Sequence, residues 1–424
     1  MARSVNIAPE VQNMAKHMKT YKFPAPPEYH TKCKELSKLA GRVYSKTVSL
    51  VRKIHKKKGF WLSMNTVQKY ILRWAQNIPL HSQTKQALVQ RYFEALKSYF
   101  KASKTNQGLK PPFRTPKYTN VVWKNQAVKL LEDGTLRLAM GNGNDPLYIP
   151  TTLPKEVDIR RVELVYDKRQ DKYFFHVTVS FESQTNISGS KVVGVDLGVV
   201  HPIVASTEDK AVIYNGGVLN SKLRYRNKKL AELQKKLAKK KPGSRRYRKL
   251  VRAKRRLLAK LYNQIKDILH KYTTHFVGWC LTEGVGTIAI GDLRGIRDRV
   301  DYNSTANQKI HQWLFRKISD LIKTKAEALG IEVVFVDESY TSQTCPVCGA
   351  KHKTSTRNFR CLGCGFEWHR DAVGALNIRK KYTGESLVVG ALASPVGVRY
   401  NSHLRCPVIM WSPWKPTFEW AKTS

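Results

Sequence analysis

Between Thr31 and Ile54 the apolar residues Leu36, Leu39, Val43, Leu50 and Ile54 recur at steps of three, four and seven. This periodicity predicts an amphipathic helix, and Gly59 is placed to stop it. A second stripe, Leu88, Tyr92, Leu96, Tyr99 and Phe100, predicts another helix, making a helical module of about residues 30 to 105. Its aromatic residues Tyr70, Trp74, Tyr92, Tyr99 and Phe100 are expected in the core. Pro111, Pro112 and Pro116 then break the pattern. From Val121 to Phe181 the period changes to two, in Leu136-Arg137-Leu138 and Val162 to Tyr166. Residues 167 to 171 read as a hairpin loop before the β-rich run Tyr173 to Val179. The expected form is a small β-barrel or sheet split by the helical module.

A second series of elements follows. Val192 to Gly198 is an apolar strand with one acidic residue, Asp196, inside it, and residues 201–206 and 211–214 supply two more strands. Leucines at 223, 230, 233 and 237, then at 250, 257 and 261, give seams to two arms separated by Lys241-Pro242-Gly243-Ser244, which predicts an antiparallel helical hairpin over 218–270. A strand at 287–293, a helix at 309–329, a strand at 331–337 and a helix from Asp371 complete the series. Three strands, helix, strand, helix, strand, helix is the element order of the RNase H fold. Such enzymes gather acidic residues from strand and helix ends around two divalent ions.

Charge narrows the partner. Across 424 residues, 76 Lys and Arg face 31 Asp and Glu, a net +45. So basic a chain repels itself unless it meets a polyanion, and nucleic acid rewards it through counterion release. The 42% apolar content excludes global disorder. No apolar run is long enough for a membrane span or a secretion signal, so no membrane partner and a cytoplasmic location are expected. Almost no acidic residues interleave with the hairpin's Lys and Arg, so that surface is expected to face nucleic acid. Trp123 and Lys124 are also expected on a nucleic-acid surface.

Of seven cysteines, four fall in two C-x-x-C pairs, Cys345/Cys348 and Cys361/Cys364, each followed by glycine. Two knuckles of this spacing satisfy a closed, tetrahedral structural Zn²⁺. A closed site leaves no position for substrate water, so zinc is not the catalytic metal. Lys351, His352 and Lys353, at the tip, are candidates for phosphate contact.

Taken in order, G-V-D-L-G at 194–198, I-A-I-G-D-L at 288–293, Y-T-S-Q-T-C-P-x-C-G at 340–349, C-x-x-C-G-F at 361–366 and H-R-D-x-x-x-A-x-N-I at 369–378 resemble the TnpB proteins of insertion sequences. These are relatives of the type V CRISPR effectors and of Fanzor proteins. The resemblance implies a multidomain α+β protein: an RNase H-like (RuvC) nuclease domain with an inserted zinc knuckle, and an N-terminal β-barrel (wedge) domain split by a helical recognition module. The corresponding boundaries are wedge 1–29 and 113–185, helical module 30–112, nuclease 186–340 and 368–381, zinc-binding target-loading insertion 341–367, and a disordered tail or accessory contact at 382–424. The implied activity is RNA-guided cleavage of DNA beside a short flanking motif, with guide RNA and double-stranded target DNA as partners and a monomer favoured. Mg²⁺ or Mn²⁺ is the expected catalytic metal.

One position departs from the pattern. The family's second nuclease motif has Glu immediately before Asp-Leu, where this chain has Gly291. Three readings follow. Glu338, at the end of the neighbouring strand about 4.8 Å away, takes over the role, as in a TnpB branch and in Fanzor proteins; Asp292 serves, although adjacent strand residues point to opposite faces; or the site is dead. The first is preferred, giving Asp196, Glu338 and Asp371 as the catalytic set. Arg370 is a candidate for holding the scissile phosphate or for pairing with an acid. A nuclease-dead RNA-guided DNA-binding repressor and a transposase proper are the rival functions.

Overall fold

The computed structural model describes residues 16–106, 108–141, 143–154, 156–182, 189–293, 307–308, 313–354, 356–385 and 392–404. They divide into two compact units, Lys16–Phe181 and the residues from Glu182 onward, forming a mixed α/β, multidomain chain.

The first unit contains β1 (Lys16–Pro24), α1 (His30–Lys58), α2 (Met64–Trp74), α3 (Ser82–Ser103), β2 (Val121–Lys124), β3 (Val128–Leu130), β4 (Thr135–Leu138), β5 (Leu147–Pro150), β6 (Asp158–Asp167) and β7 (Lys172–Glu182). One sheet has the order β1-β7-β6-β2 and a second the order β3-β4-β5. The three helices lie between β1 and β2 in sequence. α1 ends where the glycine stands: Gly59 adopts φ 74° and its N–H donates to the His55 carbonyl. Four basic residues in that last turn, His55 to Lys58, suit the negative end of the helix dipole.

Two expectations are corrected here. Tyr92 is buried, but Tyr70, Trp74 and Phe100 are 45%, 37% and 40% exposed. Val67 and Ile71 take the core face of α2, leaving Tyr70 and Trp74 on the adjoining face, where Lys46 Nζ stands 6.0 and 5.3 Å from the two rings. Trp123, conversely, is no surface residue: it is fully buried, and its indole N–H donates to the Ala139 carbonyl at 2.9 Å.

The second unit contains β8 (Lys191–Asp196), β9 (Val204–Ser206), β10 (Ala211–Tyr214), α4 (Gly217–Ala238), α5 (Arg245–Thr282), β11 (Val285–Asp292), α6 (Phe315–Glu327), β12 (Glu332–Asp337), β13 (Asn358–Arg360), β14 (Glu367–His369), α7 (Arg370–Thr383) and β15 (Val396–Val398). Its sheet has the order β12-β11-β8-β9-β10-β15. β8, β9 and β10 run antiparallel to their neighbours in sequence, whereas β11 and β12 run parallel to β8. Val193, Val195, Ile288 and Ile290 pack one face against Tyr272 and Phe276 of α5 and Ile318 and Ile322 of α6. α7 covers β8 from the other side, and Gly194 permits that approach, since a β-carbon there would collide with the Ala375 carbonyl.

The hairpin forms, capped at its second arm by Ser244, whose side chain accepts from the Tyr247 N–H. That arm runs on to Thr282, past the expected end at 270, because residues from Ile265 onward are apolar enough to enter the sheet's core. The tail expected at 382–424 is also corrected in part. Val396–Val398 pairs in parallel with β10 as the sixth strand, with Tyr400 and Leu404 packed on the core. Residues 405–424, including Cys406, lie outside the described residues, as do 309–312 at the start of the helix expected at 309–329.

Candidate metal centre and zinc knuckle

Asp196 ends β8, Asp371 sits in the first turn of α7, and Glu338 follows β12 directly. Asp196 lies against α7 at a glycine: a β-carbon at Gly374 would stand 3.0 Å from Asp196 Oδ2. Glu338 lies beside Gly291 on the next strand, where a β-carbon would meet Glu338 Oε2 at 2.8 Å. The turn that presents Glu338 is tied to α7. Lys381 Nζ donates to the carbonyls of Asp337 and Ser339, at 3.0 and 2.8 Å, and the Asn377 amide donates to the carbonyls of Thr341 and Thr344, each at 2.7 Å. Thr341 closes the turn by donating from N–H and hydroxyl to the Glu338 carbonyl.

The electrostatics divide the three acids. Burial, then the charge of Asp371, pushes the Asp196 carboxyl up to about 7. Burial, then the charges of Asp196, Asp292 and Asp337, pushes Glu338 up to about 8. Asp371 behaves oppositely. Burial raises it, but the His201 hydrogen bond and the Arg357 charge outweigh burial and hold it below the usual carboxylate range. His201 Nδ1 lies 2.7 Å from Asp371 Oδ2, and Arg357 Nη1 donates to both carboxylate oxygens at 2.8 and 2.7 Å. The His369 ring is 5.4 Å from that of His201. The charges of Arg370 and Arg357 at Asp196, and of Lys381 at Glu338, thus fall short of offsetting burial and the neighbouring acids, whereas Asp371 has a direct ion pair. Among the described residues, His201, His369 and Asp371 bring their ligand atoms within 4.8 Å of one another, while Asp196 and Glu338 bear on this group through their charges; carboxylate oxygens of this kind suit a hard divalent cation such as Mg²⁺ or Mn²⁺.

His201 and Arg357 were not read from the sequence. Both stand in loops without periodicity. Arg370 donates to the Thr354 carbonyl at 3.1 Å, and its charge partly offsets the rise at Asp196. Asp292 pairs across the sheet with Asp337, and its charge reaches Glu338.

The four cysteines converge. Cys345 and Cys364 sulfurs are 3.6 Å apart, Cys348 and Cys361 sulfurs 3.4 Å, and all four lie within 4.8 Å of one another. Tetrahedral Zn–S bonds of about 2.3 Å place sulfurs about 3.8 Å apart, so the arrangement fits a structural zinc. Gly349 and Gly365, at φ 75° and 73°, each donate an N–H back to the first cysteine carbonyl of their pair, the turn that makes both knuckles. His352, one of the candidates for phosphate contact, has its Nε2 3.3 Å from Cys361 Sγ. Lys351 rests over the Tyr340 ring, 4.7 Å from its centre.

Comparison with known proteins adds three findings. Residues 164–297 match the family model OrfB_IS605, described as probable transposase, and residues 315–378 match the Cas12f1-like TNB domain. The chain is 28% identical over 234 residues to the CRISPR-associated endodeoxyribonuclease Cas12f1 of Sulfoacidibacillus thermotolerans, covering 53% of this chain and 54% of that protein. It is 33% identical over 134 residues to a TnpB-like protein of Methanocaldococcus jannaschii, covering 31% and 46%. Against the putative RNA-guided DNA endonuclease InsQ of Escherichia coli it is 24% identical, over 86% of this chain and 92% of that protein. The chain spans about half the length of the first of these relatives. Among solved structures, a Cas12f1 in complex with sgRNA and target DNA shares the fold, with a TM-score of 0.56, 14% identity, and coverage of 84% and 83%.

Proposed function

We propose that the chain is a TnpB-type RNA-guided DNA endonuclease whose cleavage centre is Asp196, Glu338 and Asp371, a reading that the matches to OrfB_IS605 and to the Cas12f1-like TNB domain support. The observation that carries this reading is the gathering of the three acids from a strand end, a neighbouring strand end and a helix start, with Gly291 leaving room beside Glu338. Three antiparallel strands with two parallel ones added beside the first support an RNase H-like, RuvC-type sheet.

The three carboxylates would hold Mg²⁺ or Mn²⁺. Such ions, when bound, lower the pKa of an attacking water and stabilise the leaving oxygen of a phosphodiester. The protein's own residues set the geometry. Lys381 and Asn377 fix the Glu338 turn, His201 and Arg357 aim the Asp371 carboxylate, and Arg370 brings positive charge to the side of Asp196 where a phosphate would sit. The zinc knuckle at 341–367 would serve target loading. Residues 16–29 and 113–181 would form the wedge, residues 30–112 the recognition module, and the basic hairpin of α4 and α5 would lie on guide RNA.

The test is divalent-ion-dependent cleavage by the ribonucleoprotein purified with its own RNA. Cutting of a matched duplex in Mg²⁺, lost in Asp196→Ala with guided binding intact, is the expected result. Guided binding without cutting in any divalent ion would instead favour the repressor.

A further inference from the structure

The first unit holds a cleft of about 610 Å³ that plays no part in the cleavage centre. It lies between the start of α1, the segment preceding β2 and the loop joining β6 to β7. Lys34, Arg114, Lys117 and Lys168 line it, against a single acid, Asp171. Tyr173 is 5% exposed beneath it, with the His30 ring edge-on at 5.3 Å, while Tyr118 and Tyr166 are 42% and 37% exposed.

The walls are held in place before any ligand arrives. Gly41 lets the 116–117 segment sit directly on α1, since a β-carbon there would collide with the Lys117 carbonyl. Ser45 donates to the Pro116 carbonyl at 3.0 Å, and the Thr119 N–H donates to the Ser37 carbonyl at 3.0 Å. On the opposite wall Asp171 holds a left-handed backbone, φ 58°, and accepts from the Tyr166 hydroxyl, fixing that ring.

Four cations with one acid select an anion, and aromatic faces among them select a planar group. Asp171 would repel phosphate but accepts readily from a hydroxyl, which suits a ribose 2′-OH. The volume is within the range of small-ligand clefts and roomy enough for one nucleotide. With Tyr118 and Tyr166 half out in solvent, the occupant can remain part of a longer strand. We propose that this cleft captures an unpaired ribonucleotide of the RNA partner, with its base against tyrosine, its phosphate on the lysines and arginine, and its 2′-hydroxyl toward Asp171.

The inference rests on the RNA-guided reading, and the test separates the two. The full-length protein, freed of RNA, is irradiated with single-stranded oligouridine carrying one 4-thiouridine, and in parallel with its 2′-deoxy counterpart. Crosslinks are mapped to peptides. The expected result is RNA attachment within 114–120 or 166–173, weaker with the deoxy probe. Both crosslink and affinity should fall about tenfold in Tyr118→Ala and in Lys34→Glu/Lys168→Glu, with melting temperature unchanged. RNA that binds but crosslinks only elsewhere, equal capture of the deoxy probe, or undiminished affinity in the folded variants would each overturn the assignment to this cleft. Failure to bind any RNA would overturn the guided reading itself.

Discussion

Glu338 fills the space that a side chain at position 291 would need: a β-carbon on Gly291 would lie 2.8 Å from Glu338 Oε2 and 3.2 Å from its Cβ. Ile378 Cδ1, 3.0 Å away, closes the remaining side. A side chain at 291 would therefore press on the movable end of Glu338, and the two positions compete for one space. We expect this corner of the candidate centre to hold one glutamate, carried either by β11 or by the turn after β12.

This competition has a direct test. Glu338→Gln keeps the shape and removes the charge, so cleavage in Mg²⁺ should fall at least about a hundredfold while guided DNA binding persists, because ligands of one centre act as a unit. Gly291→Glu alone should crowd the centre and also impair cleavage. The reciprocal pair Gly291→Glu/Glu338→Gly should recover a measurable part of the rate. Cleavage by Glu338→Gln at the parental rate would transfer the role to Asp292, for which the matching prediction is a mild effect of Asp292→Asn.

Protons and metal should compete at this centre. Asp196 and Glu338 carry carboxyls raised to about 7 and about 8, against unfolded values of about 3.9 and 4.3. A raised folded pKa favours the protonated fold, so that contribution is complete below pH about 4 and is lost as pH rises through 7 and 8. The metal-free protein should therefore melt at progressively lower temperature from pH 5 to 8.5, and Mg²⁺ at the alkaline end should offset the loss. Titration calorimetry at pH 7 in buffers of different ionisation enthalpy should register proton release on Mg²⁺ binding. Absence of release would mean that the acids are ionised before metal arrives.

Part of the fold and of this candidate centre is legible in the sequence, and the parts that are not share a cause. Asp196 stands out because a lone acid interrupts an apolar strand, and Asp371 because it stands near a helix start in a motif, H-R-D-x-x-x-A-x-N-I, that resembles TnpB. Glu338 is the preferred reading of Gly291's departure from the family pattern, with the spacing of adjacent strands in its favour. α1 and α3 are carried by long stripes, and Gly59 marks a real stop. His201 and Arg357 carry no such mark, since each gains meaning only from an acid that folding brings to it, in the case of His201 across 170 positions. β15 is hidden likewise: three residues acquire their role from β10, far back in the chain. Trp123 shows the converse error, an aromatic beside lysine in a proline-flanked segment, taken for surface until the sheet closes over it.

The zinc knuckle should be a matter of folding more than of chemistry. With four sulfurs within 4.8 Å and no open position, the protein as purified should contain about one zinc per chain. Cys345→Ser, at a buried thiol, should lower stability sharply, while the fraction that folds cleaves at near the parental rate. Fully active protein without zinc by elemental analysis would contradict the assignment.

On α5, Arg245, Lys249, Arg252 and Arg256 are exposed and recur at helical spacing along one stripe, with no acid before Asp267. Replacing all four by Gln should weaken RNA binding and flatten the dependence of log affinity on log salt by about 0.7 for each phosphate no longer neutralised, or about 3 in all. Thermal stability should change little, because these side chains contribute nothing to the core. An unchanged salt slope would move the RNA to another face.

Arg357 forms a direct ion pair with Asp371, and its charge also reaches Asp196. Its guanidinium holds both carboxylate oxygens, with the arginine side chain 50% exposed and the aspartate 15%. A charge-assisted pair half open to solvent contributes about 1 kcal/mol after screening. Arg357→Ala should therefore lower stability by about that amount in metal-free protein. If the divalent ion takes over the same charge, the deficit should shrink as Mg²⁺ is added above pH 8, where all three carboxylates are largely ionised. A double-mutant cycle with Asp371→Asn, run with and without Mg²⁺, isolates the coupling. A coupling energy indifferent to Mg²⁺ would show that Arg357 braces the aspartate permanently and that the ion does not share this carboxylate.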